Sequence, residues 1–235
     1  MEDMEIGIIG AMQIEVEALC SAMEEPQTQR VSGIDFVSGR LSGRRVVTAR
    51  CGIGKVFAAI CAQTMILRYR PGVIVNTGVA GSMTDRLSVG QVALADRVVQ
   101  HDMDTSPLGD PVGLLSGIGQ VYLPTDPAAT ACLSACVGGL GVPYVRGTIA
   151  SGDQFIAASA QKQRIRDAFE DVVACEMEGA AIGQVCYVNR VPCAILRAIS
   201  DGGDEGAALD YPTFLSAAAD TAARALLRFT EVWKA

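Results

Sequence analysis

The chain has a single histidine, His101, in 235 residues. Any histidine-dependent catalytic triad must use that residue or not exist. Other acid–base chemistry falls to carboxylates, Lys, Tyr or Cys. Cations are also in short supply, with 19 Lys and Arg against 26 Asp and Glu and a formal net charge of −7. No basic cluster exceeds the Arg44–Arg45 pair. A phosphate backbone needs a basic face, so nucleic acid is not expected as a partner. Long apolar runs are missing too; none approaches the roughly 18 to 20 residues that span a bilayer, so no membrane partner is expected. The acidic start, "MEDMEIGIIGAM", carries too short an apolar run for a signal peptide, which points to the cytoplasm. The eight cysteines contain no CxxC pair. Cys132 and Cys136 are four apart, as on one helix face, and Cys61, Cys186 and Cys193 lie in apolar contexts, so we expect reduced thiols and no zinc site.

What remains is half hydrophobic, with 25 glycines and only 5% aromatics, a mixture suited to close helix-on-sheet packing. "EIGIIGAM" at 5–12 reads as a buried strand, followed by a helix to about Met23. Residues 34–38, 45–50, 72–78, 91–99, 144–150, 171–177 and 192–200 read as further strands. Helical patterns cover 54–70, 127–138, 160–169, 178–189 and 212–233. In the last of these, Leu215, Ala219, Ala222, Leu226, Phe229 and Trp233 form one stripe. Alternating strands and helices indicate an α/β fold: a single three-layer domain, 1–235, with a mixed β-sheet flanked by helices.

In open α/β sheets ligands collect beyond the carboxyl ends of strands. Those ends here read "GAMQIE", "NTGVAG", "ASGDQFI", "CEMEG" and "RAISD", and four of the five deliver an acid. Taken singly, Glu15 and Glu178 read as carboxylates in a helix's first turn and Asp201 as a turn or cap residue. Glu176 is harder to dismiss inside "VACEMEGAAI", because a buried carboxylate costs several kcal/mol unless compensated. Arg197 is the partner we expect for it. "NTGVAG" lacks the spacing of a dinucleotide loop or a P-loop. His101, Asp102 and Asp104 suggest a metal site only weakly, since loop aspartates usually serve turns. Ser151 and Asp153 have no nucleophile elbow around them.

Together, "IGIIGAMQIEVEAL", "CGIGKVFAA", "NTGVAG", "SGDQFI", "CEMEGAAI" and "RAISD", in that order, resemble the 5′-methylthioadenosine/S-adenosylhomocysteine nucleosidases of the purine nucleoside phosphorylase superfamily. The resemblance implies a nucleoside phosphorylase-like fold and hydrolysis of an adenine N-glycosidic bond without a cofactor or metal. It implies Asp201 as the acid toward adenine N7, Glu15 as the base for water, and Glu178 as the acceptor of ribose hydroxyls. Phe155 and Ile156 would hold the base, with Ala80, Gly81, Ile53, Cys175, Met177 and Ser200 around the nucleoside and Arg197 orienting the Glu178 side. It further implies a homodimer in which loop 102–119 reaches the neighbouring site. The alternatives are a phosphorylase, an aminodeoxyfutalosine-type nucleosidase and a non-catalytic nucleoside binder. Two departures from the family's pattern stand out. Val79 occupies a position often held by serine, and "TSPLGDPVGLLSG" lacks the usual aromatic, leaving Thr105, Leu108 and Tyr211 to cover a 5′-alkylthio group.

Overall fold

The computed structural model describes residues 5–234; residues 1–4 and 235 of the expected domain lie outside it. Ten strands form one mixed sheet. They are β1 (Ile6–Gly10), β2 (Glu24–Val31), β3 (Ile34–Leu41), β4 (Arg44–Arg50), β5 (Val73–Ser82), β6 (Val92–Gln100), β7 (Leu123–Pro124), β8 (Tyr144–Ser151), β9 (Val172–Glu176) and β10 (Cys193–Asp201). The helices are α1 (Gln13–Ser21), α2 (Lys55–Tyr69), α3 (Pro127–Gly138), α4 (Ser159–Ala168), α5 (Gly179–Asn189) and α6 (Ala207–Val232).

The buried strands are apolar on both faces because helices cover both. Ala58, Cys61, Ala62 and Met65 of α2 pack with Ala180, Ala181, Ile182 and Cys186 of α5 on one side. Leu19 of α1, Leu133 and Val137 of α3, and Ala222, Leu226 and Phe229 of α6 pack on the other. This is the three-layer arrangement expected from the alternation of elements.

The strand order is β10-β6-β8-β9-β5-β1-β4-β3-β2, and β10 also pairs with β5, so half of the sheet curls round on itself. β5 is the hinge of this arrangement. On one edge it follows β10 in parallel from Ile74 to Gly81. On the other it pairs with β1 from Val73 to Asn76, and with β9 only at Gly81 and Ser82. The stretch of β5 between those two partners opens a gap in the sheet beside the carboxyl ends of β1, β9 and β10.

Besides the two-residue β7, which the sequence reading did not include, two elements depart from it. β2 was not foreseen: "EEPQTQRV" is exposed, has no apolar alternation, and contains Pro26. It is an edge strand with a register shift between Glu24 and Gln27, the setting in which a sheet tolerates proline. Helix α6 begins at Ala207 and runs through Pro212 instead of starting there.

Candidate active site

Glu15, Glu178 and Asp201 are each delivered by the end of a different strand. Glu15 is the third residue of α1, directly after β1, and is buried. Its carboxylate accepts N–H bonds from Ala11 (2.7 Å) and Met12 (2.9 Å) through Oε2, and from Val79 (3.2 Å) through Oε1. The first-turn reading is therefore true of Glu15 but incomplete, because the third bond comes from the open edge of β5. Its approach needs Gly78: a Cβ there would stand 2.7 Å from Glu15 Oε1 and would also collide with the Arg197 guanidinium. Burial pushes the Glu15 carboxyl above its ordinary range, opposed by Arg197 and by the three amides.

Glu176 ends β9 and Glu178 caps α5. Glu176 takes the buried Arg197 as its ion-pair partner and accepts from the amides of Glu178 (3.0 Å) and Gly179 (2.8 Å). The Ser151 hydroxyl also bonds to it, while accepting from Ala180 N at 2.7 Å. Arg197 in turn donates to Asn76 Oδ1 at 2.6 Å. Glu178 is held more loosely, with Gly54 N at 2.9 Å and Arg197 at 3.8 Å. Burial, then repulsion by Glu176, pushes its carboxyl up to about 7.

Asp201 ends β10, where the pairing with β5 shifts register. It accepts from Ser200 Oγ (2.9 Å) and Gly203 N (2.9 Å). Gly81 permits this placement, since a Cβ there would lie 2.8 Å from Asp201 Oδ1. Burial raises the Asp201 carboxyl, against those two hydrogen bonds.

Glu15, Glu178 and Asp201 line one cavity of about 300 Å³, together with Ile53, Phe155, Cys175 and Met177. Gly81 and Ile156 line a small recess of about 30 Å³ that shares Phe155, Cys175, Met177 and Asp201 with it. Three of the residues expected at the nucleoside do not face the space. Ala80 is buried behind the wall, and its carbonyl accepts from Ser200 Oγ at 3.4 Å; the wall position on β5 is taken by Val79. Ser200 supports Asp201, and Arg197 stands behind the glutamates. Tyr211 lines the cavity, its hydroxyl 3.2 Å from Met12 Sδ and its ring edge-on to Phe155 at 5.6 Å. Thr105 and Leu108 do not line it, and Leu108 is 84% exposed.

Asp102 and Asp104 are otherwise engaged, Asp102 with Lys55 Nζ (2.5 Å) and Asp104 with Ser106 N (2.8 Å). His101 lies outside the cavity, with Nε2 buried and unbonded. Sequence reasoning missed Asn76, the Gly54 amide and the support given by Ser151. Only the "NTG", "GIG" and "SGD" segments hinted that backbone and short polar side chains would gather here.

Chemically, a hollow of this size with four carboxylates in its wall, one of them tied to a buried cation, suits a neutral ligand that becomes positively charged during reaction.

Comparison with known proteins agrees with this geometry. Residues 5–231 match the phosphorylase superfamily. The 5′-methylthioadenosine/S-adenosylhomocysteine nucleosidase of Shewanella sediminis is 39% identical over 213 residues, 90% of this chain and 92% of its own. The nucleosidase of the same name from Neisseria meningitidis, solved with methylthio-immucillin-A, superposes with a TM-score of 0.94 at 32% identity, covering 97% of this chain and 99% of that one. The futalosine hydrolase of Helicobacter pylori superposes with a TM-score of 0.93 at 30% identity, covering 98% of each chain. The chain thus belongs to the phosphorylase superfamily and, within it, to the 5′-methylthioadenosine/S-adenosylhomocysteine nucleosidases.

Proposed function

We infer that this protein hydrolyses the N-glycosidic bond of 5′-methylthioadenosine and S-adenosylhomocysteine, releasing adenine and the 5′-thioribose. The observation that carries the reading is the convergence of Glu15, Glu178 and Asp201 on one nucleoside-sized cavity. Asp201, whose carboxyl burial shifts toward its protonated form, gives its proton to adenine N7 as the C1′–N9 bond breaks. Glu178 accepts the ribose hydroxyls and sets negative charge beside the oxocarbenium-like sugar. Glu15, whose carboxyl is made more basic by burial, takes a proton from the water that attacks C1′. Glu176 and Arg197 do not react; they hold the glutamate pair in place. Phe155 stacks on the base, and Tyr211 faces the 5′ substituent.

Helices α2 and α5 lie side by side, with Asn189 Nδ2 bonded to Gln63 Oε1 at 2.9 Å. They expose Val56, Phe57 and Leu67 and also Tyr187 and Val188. We assign this apolar surface to a homodimer contact. Among the described residues no helix is long and apolar enough to cross a membrane. All eight cysteines are unpaired, which supports a cytoplasmic setting.

The test is adenine release from methylthioadenosine, adenosylhomocysteine and aminodeoxyfutalosine, compared by kcat/KM. Efficient turnover of the first two is expected. Turnover of aminodeoxyfutalosine alone would reassign the substrate, and none with any of the three would remove the activity.

A further inference from the structure

The acidic loop after β6 has no part in the chemistry above, yet it is built into the structure on three sides. Asp102 Oδ1 pairs with Lys55 Nζ at 2.5 Å. Its Oδ2 accepts from Asp153 N at 2.9 Å. Asp153 Oδ1 in turn accepts from Lys55 N at 2.8 Å, which closes a ring of three residues from three separate segments. Lys55 Nζ also reaches Gln100 Oε1 at 3.0 Å, and Gln100 Nε2 reaches Gln184 Oε1 at 2.6 Å. The Lys55 and Asp102 side chains are each only 18% exposed, so the pair is partly shielded from water and salt.

None of these residues faces the cavity, but their chain neighbours do. Gly54, one residue before Lys55, has φ +100° and gives its N–H to Glu178 Oε1 at 2.9 Å. Ile53 lines the cavity beside it, and Phe155, two residues after Asp153, lines it from the opposite loop. A glycine in that backbone conformation has little stiffness of its own. Something must fix the 52–54 turn for its amide to stay on Glu178.

We propose that Asp102 is a positioning residue for the nucleosidase reaction: through Lys55 and Asp153 it clamps loop 52–54 to loop 152–156, fixing the Gly54 amide on Glu178 and Phe155 over the base. The inference rests on the nucleosidase reading. Wild-type adenine release tests that reading by itself, whereas the variants below test only the clamp.

A pH profile separates this role from simple loss of a charge. Glu178 faces Glu176, Arg197 and Glu15, with Cys51 and Tyr211 nearby. Removing an anion from the neighbourhood lowers a carboxyl's pKa, whereas losing an amide donor raises it. Asp102→Asn through the clamp therefore moves the acid limb of kcat/KM to higher pH.

The experiment measures kcat/KM against pH for methylthioadenosine with Asp102→Asn, Lys55→Gln and the double variant. Unfolding temperatures and calorimetric affinity for a non-hydrolysable methylthioadenosine analogue are followed alongside. A misplacement of this kind costs up to roughly a hundredfold in rate. We expect each single variant to lose at least about tenfold, with the acid limb moved up and analogue binding weakened. The double variant should be no worse than either single, because both break one ring. Unchanged kcat/KM, a limb moved down in pH, or additive losses would overturn the clamp. If Asp102→Asn does not fold, Asp153→Ala, which also removes an anion while breaking the ring, decides the matter on the same profile.

Discussion

Glu176 and Glu178 lie two residues apart and share one arginine unequally: Arg197 is in direct contact with Glu176 but 3.8 Å from Glu178. The first is consequently a compensated anion within the scaffold. The second carries a burial penalty that Arg197 and the Gly54 amide offset only in part, and with the repulsion of Glu176 it is pushed up to about 7. This is a local conflict of the sort a fold tolerates at a working site and removes elsewhere.

The conflict has a consequence for stability. Glu178 ionises near an ordinary 4.5 in the unfolded chain but at about 7 in the fold, so between these values the folded state binds more protons. Stability from this group is full below pH 4.5 and is lost as pH rises through 7. Glu178→Gln should therefore raise the unfolding temperature of the unliganded protein by a few degrees at pH 8 and hardly at all at pH 4.5, while abolishing turnover. Calorimetry of both proteins at the two pH values checks this. An equal shift at both would mean that Glu178 carries no such penalty.

Gly78 illustrates how closely the site is packed. A methyl group there would stand 2.7 Å from Glu15 Oε1 and would displace Arg197, and neither neighbour is a free side-chain end. We expect Gly78→Ala to cost several kcal/mol of stability and more than a hundredfold in kcat/KM. Gly81→Ala should act at Asp201, the contact its Cβ would crowd, with a smaller loss of stability. Denaturant midpoints and adenine release measure both. A wild-type midpoint for Gly78→Ala would show that β5 can yield.

The sequence made much of this arrangement legible. Buried strands betrayed themselves by continuous apolar runs, and charges inside such runs had to be paired or functional, which singled out Glu176, Glu178 and Arg197. What it concealed was of two kinds. An exposed polar strand such as β2 has no periodicity to read, because neither of its faces is buried. The supports of the site, Asn76, Ser151 and the Gly54 amide, are ordinary residues whose importance comes from a gap in sheet pairing that only the topology creates. Ala80 was misplaced for a related reason. Alternation along β5 puts Val79 at the wall and its neighbour behind it.

Asp201 should act only while protonated. Its carboxyl is raised by burial against the bonds from Gly203 and Ser200, so kcat falls as pH rises through that elevated value. Asp201→Asn should leave the unfolding temperature near wild type, retain affinity for an adenosine analogue, and lower kcat by a factor on the order of 10² to 10⁴. Ser200→Ala removes one hydrogen bond that favours the ionised form, so its alkaline limb should move to higher pH. Pre-steady-state adenine release across pH gives both results. A limb that Ser200→Ala leaves in place would assign the acid role elsewhere.

The final expectation concerns the nucleophile. The superfamily takes its name from phosphorolysis, and that chemistry needs a site that neutralises a dianion. The side chains in this cavity wall include Glu15, Glu176, Glu178 and Asp201 and no lysine or arginine. Arg197, the buried cation behind the wall, is already bonded to Glu176 and Asn76. At about 4 Å and an effective dielectric constant of about 20, each carboxylate–phosphate charge pair would cost about 4 kcal/mol. Water meets no such repulsion, and in the proposed reaction it gives its proton to Glu15. Adding phosphate should therefore leave the rate of adenine release unchanged. In ¹⁸O-labelled water the label should enter the sugar at C1′, with no sugar 1-phosphate detectable. A phosphate-dependent rate with a 1-phosphate product would return the chain to phosphorolysis and leave the buried Glu15 without a task.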